Sequence, residues 1–177
     1  MIFKPSEAWT SAPREDDGHE AFLSRYVYPL IGVIALAAFL GVLFNRKEFD
    51  FVIALKSAIM ELVSSAGGFF LGAWLLGEIW RSVFKRPKDM KLCRYFVGYA
   101  SSLMFLLRIV LSLLPEFFFL HVIVLYTAYI IWEGAVPFML VRENEQLKFT
   151  IYASLAVMLS PTAIYFGLFL LMPGMRF

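Results

Sequence analysis

Apolar residues in this chain fall in long blocks rather than alternating at short range. Five blocks approach the roughly 20 residues that a helix needs to cross a 30 Å hydrocarbon layer. They cover residues 26–45, 57–80, 95–114, 117–141 and 149–172. Each is too long for a buried strand and reads as helix. The pattern predicts an all-α polytopic membrane protein, a bundle of five transmembrane helices. It divides the chain into a short tail with an interfacial segment (1–25) and a five-span domain (26–177). The first block is too long for a signal-peptide core, starts late and has no small-residue cleavage site, so it reads as a retained helix. The second helix is expected to start near Asp50. Ile2, Phe3, Ala8 and Trp9 of the tail suit the headgroup boundary, and the stretch from Glu15 to Glu20 reads as a loop.

Composition sharpens this picture. Of the 177 residues 60% are hydrophobic and only 17% charged, against roughly 25% charged in soluble domains; mean hydropathy is +0.73. A soluble globular domain, a disordered chain and a disulfide-knotted module are excluded. The net charge of +2 leaves no basic footprint for nucleic acid. The single cysteine, Cys93, reads as an interfacial thiol.

Basic residues set an orientation. The tail, the loop between spans two and three and the loop between spans four and five together hold eleven Lys and Arg; the opposite side holds four. This predicts a cytoplasmic N-terminus and an external C-terminus. The six cations between spans two and three serve topology, or else a docking role toward anionic lipid or a partner.

Charges inside spans are costly, which makes the few present informative. Arg108 sits about 10 Å from the outer end of span three and Glu61 about 6 Å from that of span two. The antiparallel spans let them meet, with Glu116 a second candidate partner for Arg108. This is either a structural pair or part of a polar pathway or headgroup site. Glu133 lies about 12 Å inside the opposite end of span four, level with Ser101 and Ser102 and close to Tyr99. It reads as a packing hydrogen bond or as a proton- or ion-coupled site. Pro137 and Pro161 each remove a backbone donor and predict kinks, with Ser160 and Thr162 placed to satisfy the carbonyl freed by Pro161.

Ser64, Gly68 and Gly72 recur at four-residue spacing, and Gly68–Gly72 is a GxxxG match. Small residues let a second backbone approach, either within the bundle or across a homo-oligomer. Neither His19 nor His121 has a carboxylate or cysteine at ligand spacing, and no H-E-x-x-H, G-x-S-x-G or Walker sequence occurs. No catalytic residue, metal or cofactor is expected, and the partners expected are membrane lipids, a second copy or another membrane protein.

The chain resembles the Yip domain family of small five-span membrane proteins, especially its bacterial members. Lys4-Pro-Ser-Glu-Ala-Trp9 is similar to the family's opening before span one, and Tyr28-Pro29-Leu30 starts that span. Tyr95-Phe-Val-Gly98-Tyr99-Ala-Ser-Ser102 is similar to the opening of span three. Leu114-Pro115 follows at the turn, and Tyr126-Thr-Ala-Tyr129-Ile-Ile-Trp132-Glu-Gly134 is similar to the tyrosine-rich fourth span. The resemblance implies a five-helix bundle with a cytoplasmic N-terminus. Eukaryotic members act in vesicle traffic and bind Rab-type GTPases and one another. Here only about 25 residues precede span one, and Arg25-Tyr-Val-Tyr-Pro29 stands where those members have Asp-Leu-Tyr-Gly-Pro. The expectation is therefore a bacterial inner-membrane protein that acts as a membrane scaffold or interaction protein without enzymatic activity. The alternative is a small transporter, channel or lipid-handling protein working through Glu61, Arg108 and Glu133.

Overall fold

A computed structural model describes residues 4–11, 19–45 and 49–171. Its elements are helices: α1 (Pro5–Ser11), α2 (His19–Phe22), a π-helical turn (Leu23–Val27), α3 (Tyr28–Asn45), α4 (Phe51–Ser82), α5 (Met90–Ala100) and α6 (Ser102–Leu113), followed by a 3₁₀-helix (Pro115–Leu125), α7 (Tyr126–Ala135), a 3₁₀ turn (Glu143–Glu145) and α8 (Gln146–Leu171). Four helices are long and apolar enough to cross a membrane, or five if the bent pair α5–α6 is one span. Strongly exposed apolar side chains, such as Leu36, Phe118 and Leu170, coat the outside. In water such a surface would aggregate; in a bilayer it faces acyl chains.

The helix ends follow local chemistry. Asp50 caps α4 by accepting from the Val52 and Ile53 amides at 2.8 and 3.1 Å, so the helix starts where expected from the sequence. Asp89 caps α5 in the same way. Such a side chain satisfies amides that have no partner in the first turn. Span one starts earlier than residue 26, because α2 and the π-turn continue into α3. Of the Glu15–Glu20 loop expectation, 15–18 lie outside the described residues, while 19 and 20 are helical.

Spans three and four depart from simple helices. Span three bends by 44° between α5 and α6. Span four opens as an eleven-residue 3₁₀ segment with a non-helical Phe117 inside it, none of its residues buried, before widening to α7. It ends at Ala135, just before Pro137, whose missing N–H cannot extend the ladder. The following turn closes with Leu140 N–H on the Val136 carbonyl and Val141 N–H on the Ala135 carbonyl, both 3.1 Å. This closure puts Leu140 at a φ of 54°, the left-handed region that disfavours residues with a Cβ. Leu140 is exposed, so Leu140→Gly should raise stability by about 0.5 to 1 kcal/mol, measured as a higher unfolding midpoint in detergent. Span five runs unbroken through Pro161. Ser160 donates to the Ala156 carbonyl and Thr162 to that of Met158, the carbonyls flanking the Val157 carbonyl that Pro161 leaves unpaired.

The long α4 is the organiser, packing on α3, α5 and α8, while α6 packs on α3 and α7 on α8. The core toward the loop between α4 and α5 is aromatic. Phe69, Phe96, Phe138 and Phe149 are fully buried, as is Trp9 at 1% exposure. Trp9 is therefore packed inside the bundle rather than laid on its surface. Its ring stacks on Phe96 at 4.9 Å and packs on Phe138 at 5.1 Å, and its indole N–H donates to the Ile130 carbonyl at 2.8 Å. Gly134 makes the notch, since a Cβ there would lie 2.5 Å from the Trp9 ring. Ala8 is half-buried beside it, while Ile2 and Phe3 fall outside the described residues. Cys93 is also fully buried rather than interfacial.

Much of the basic loop is engaged internally. Lys88 and Arg81 both pair with Glu78. The Arg86 guanidinium donates to the Leu140 carbonyl at 2.7 Å and lies 4.9 Å from the centre of the Trp80 ring. Arg94 sits over Phe70 at 5.8 Å. Arg86 ties the end of α4 to the turn after span four, while Lys88 and Arg94 tie α4 to the loop and helix that follow it, a structural role beyond the topology and docking roles weighed from sequence.

Candidate functional site

The polar centre of the bundle lies between α4 and α6. One nitrogen of the Arg108 guanidinium, Nη1, donates to Glu61 Oε2 at 2.8 Å, to Ser64 Oγ at 2.9 Å and to Ser65 Oγ at 3.2 Å. Glu61, Ser64 and Ser65 share one side of α4 because residues three and four apart align on a helix. Both charged side chains are largely withdrawn, at 21% and 22% exposure. Glu116, the other carboxylate weighed from sequence, is exposed in the 3₁₀-helix and is not the partner.

The 3₁₀-helix stands off from the bundle and leaves space beside this pair. A cavity of about 320 Å³ is lined by Arg108, His121 and Thr162 together with apolar Leu107, Val124 and Met158. An adjoining hollow of about 300 Å³ shares Arg108, Leu111 and His121 with it and reaches Glu61 and Ser112. A pinhole of about 10 Å³, enough for about one water, continues inward past Ser65 to Gly68 and Phe69. There the space ends against the aromatic core.

His121 is the residue that sequence reasoning passed over. It has no ligand-spaced partner in the chain, yet the turn at Pro115 folds the 3₁₀-helix back on α6 and brings its ring to Arg108. Its Nδ1 is 2.8 Å from the Phe118 carbonyl. A carbonyl only accepts, so Nδ1 is the donor and, in the neutral ring, Nε2 keeps its lone pair. No group of His, Cys, Asp or Glu among the described residues could hold a metal ion.

Glu133 is not part of this centre. Its interaction runs to Tyr129, one turn earlier on α7. Ser102 instead bonds the Tyr26 hydroxyl at 2.6 Å and donates to the Tyr99 carbonyl. Tyr99 packs among Trp9, Phe22 and Tyr26. The Glu133–Ser102–Tyr99 level expected from sequence therefore resolves into two separate clusters.

The small-residue ladder faces α8. A Cβ on Gly68 would come within 2.5 Å of Pro161 Cα, and one on Gly72 within 3.4 Å of the Ala156 carbonyl oxygen and Ser160 Oγ. Ser64 is taken up by Arg108. The ladder is thus spent on packing within one chain and is not a free homo-oligomer face. Because the atom opposite Gly68 is backbone, Gly68→Ala should cost about 2 kcal/mol by overpacking. An unchanged midpoint for this variant in denaturation would refute the close approach.

No curated protein and no solved structure matches the chain. The profile of the Yip1 domain does, over residues 1–171. That stretch takes in α1, every span and both partners of the buried ion pair; the chain is a membrane protein and belongs to the Yip1 domain family.

Proposed function

We propose that this protein is a non-enzymatic membrane scaffold or interaction protein of the Yip1 type. The observation that carries the reading is the closed floor of its polar cleft. The space beside Arg108 narrows to the room of one water at Gly68 and Phe69 and meets the packed rings of Phe69, Phe96 and Trp9. A conduit needs polar lining from face to face, whereas Glu133, the other intramembrane charge, sits in a separate cluster. The same floor argues against an open channel.

The count of basic residues supports a bacterial inner membrane topology with the N-terminus in the cytoplasm and the C-terminus outside. The partner is another membrane protein or a second copy, engaged through a surface other than the Gly68–Gly72 face. Cross-linking in native membranes is expected to trap a specific protein neighbour. Purified protein in liposomes is expected to give ion and solute flux equal to that of empty vesicles. Flux well above that background, or a strictly solitary chain in native membranes, would overturn the reading.

A further inference from the structure

We infer that the cleft between α6, the 3₁₀-helix and α8 is a binding site for a membrane lipid with a phosphoethanolamine headgroup. Three features carry this. First, the Arg108–Glu61 pair is internally neutral and only half used. Arg108 engages its partners through Nη1 alone, which leaves the Nε and Nη2 protons without a described partner. Glu61 accepts from Arg108 through Oε2, and Oε1 has no described donor. The site thus offers a donor edge and an acceptor edge side by side.

Second, the acceptor edge is extended. His121 donates through Nδ1 to Phe118, so its neutral ring offers Nε2 as an acceptor. His121 and Ser112 line the same hollow as Glu61 and Arg108. An ammonium carries three N–H donors and finds three acceptors here: Glu61 Oε1, His121 Nε2 and Ser112 Oγ. A phosphodiester finds the remaining N–H groups of Arg108, a guanidinium being suited to paired contact with phosphate oxygens.

Third, charge selects between lipids. A zwitterion leaves the neutral pair neutral. An anionic headgroup such as phosphoglycerol would bring an uncompensated charge beside Glu61 in a poorly hydrated site, which is penalised. A choline headgroup is neutral overall but has no N–H to donate. The adjoining cavity, walled by Leu107, Val124 and Met158, takes the first carbons of an acyl chain, which favours a lipid over a free headgroup. The inference is independent of the scaffold reading, because a scaffold that passes no solute can still hold a lipid.

Native mass spectrometry of the full chain in detergent tests it, with lipids of matched acyl chains as probes. Phosphatidylethanolamine should bind about fivefold or more tightly than phosphatidylglycerol or phosphatidylcholine, as expected for about one charge–headgroup interaction. Glu61→Gln leaves Arg108 unneutralised and should shift the preference to phosphatidylglycerol. Val124→Trp fills the apolar wall without touching the polar groups and should weaken all three lipids, with helix content by circular dichroism unchanged. Equal binding of the three lipids to the native chain would overturn the site. So would a phosphatidylethanolamine preference that survives Glu61→Gln, or lipid affinities that Val124→Trp leaves unchanged, in folded protein. Displacement of the lipid by an equal concentration of soluble phosphoethanolamine would overturn its assignment to a membrane lipid.

Discussion

Trp9→Ala is expected to lower the stability of the bundle by about 4 kcal/mol, in the range of large-to-small substitutions at fully buried aromatic positions. The indole is 1% exposed, is surrounded by Phe96, Phe138 and Tyr99, and holds the Ile130 carbonyl at 2.8 Å. Alanine removes all of these contacts at once and leaves a hollow that Gly134 cannot fill. Trp9→Phe keeps most of the ring and loses the hydrogen bond, so its cost should be nearer 1 kcal/mol. The two variants separate packing from hydrogen bonding in a denaturation series. A Trp9→Ala protein as stable as the parent would mean that α1 does not dock on α7. Gly134→Ala should act in the same direction, because its Cβ would press on the indole from the other side of the contact.

Breaking the buried ion pair comes next. Arg108→Leu should cost about 3 kcal/mol, because the Glu61 carboxylate is then left in a low-dielectric site without its cation. Glu61→Leu should cost a similar amount by stranding the guanidinium, with Ser64 and Ser65 too weak to neutralise it. The double variant should be clearly more stable than either single one, since two apolar side chains can replace a buried pair at little or no loss. Thermal unfolding of the three variants in detergent forms a double-mutant cycle. Strict additivity would show that the two residues do not interact. The pair is only about a fifth exposed, so salt should screen it weakly.

How much of this was legible in the sequence varies from residue to residue. Membrane spans and the Glu61–Arg108 pairing follow from block hydropathy and helix rise, because depth along two antiparallel helices is a one-dimensional quantity. The Asp50 cap was legible for the same local reason. Trp9 was not, since its hydrogen-bond partner is 121 residues away and α1 is only seven residues long, too short for periodicity to declare a buried face. The break at Ser101 has no proline to announce it, only Gly98 one turn earlier. Apart from Glu116 and His121 the run from Pro115 to Leu125 is apolar, and it reads alike as α or 3₁₀. His121 reaches the site only because the turn at Pro115 packs that segment back on α6, a matter of tertiary placement. The role of Gly68 was half legible: the small residue was evident, but its fit to Pro161 depends on which helix faces it.

The 3₁₀-helix also changes the reach of span four. A 3₁₀ turn rises about 2.0 Å per residue against 1.5 Å in an α-helix. Its eleven residues therefore cover about 22 Å, where α geometry would cover about 16 Å. With α7 added, the span measures about 37 Å instead of about 31 Å. The same eleven residues in α geometry would be shorter by close to one turn. Leu120 and Val124 are the side chains of the segment that pack partly against the core. The 3₁₀ geometry thus lengthens span four by roughly 6 Å, comparable to the difference in hydrocarbon thickness between thin and thick biological membranes.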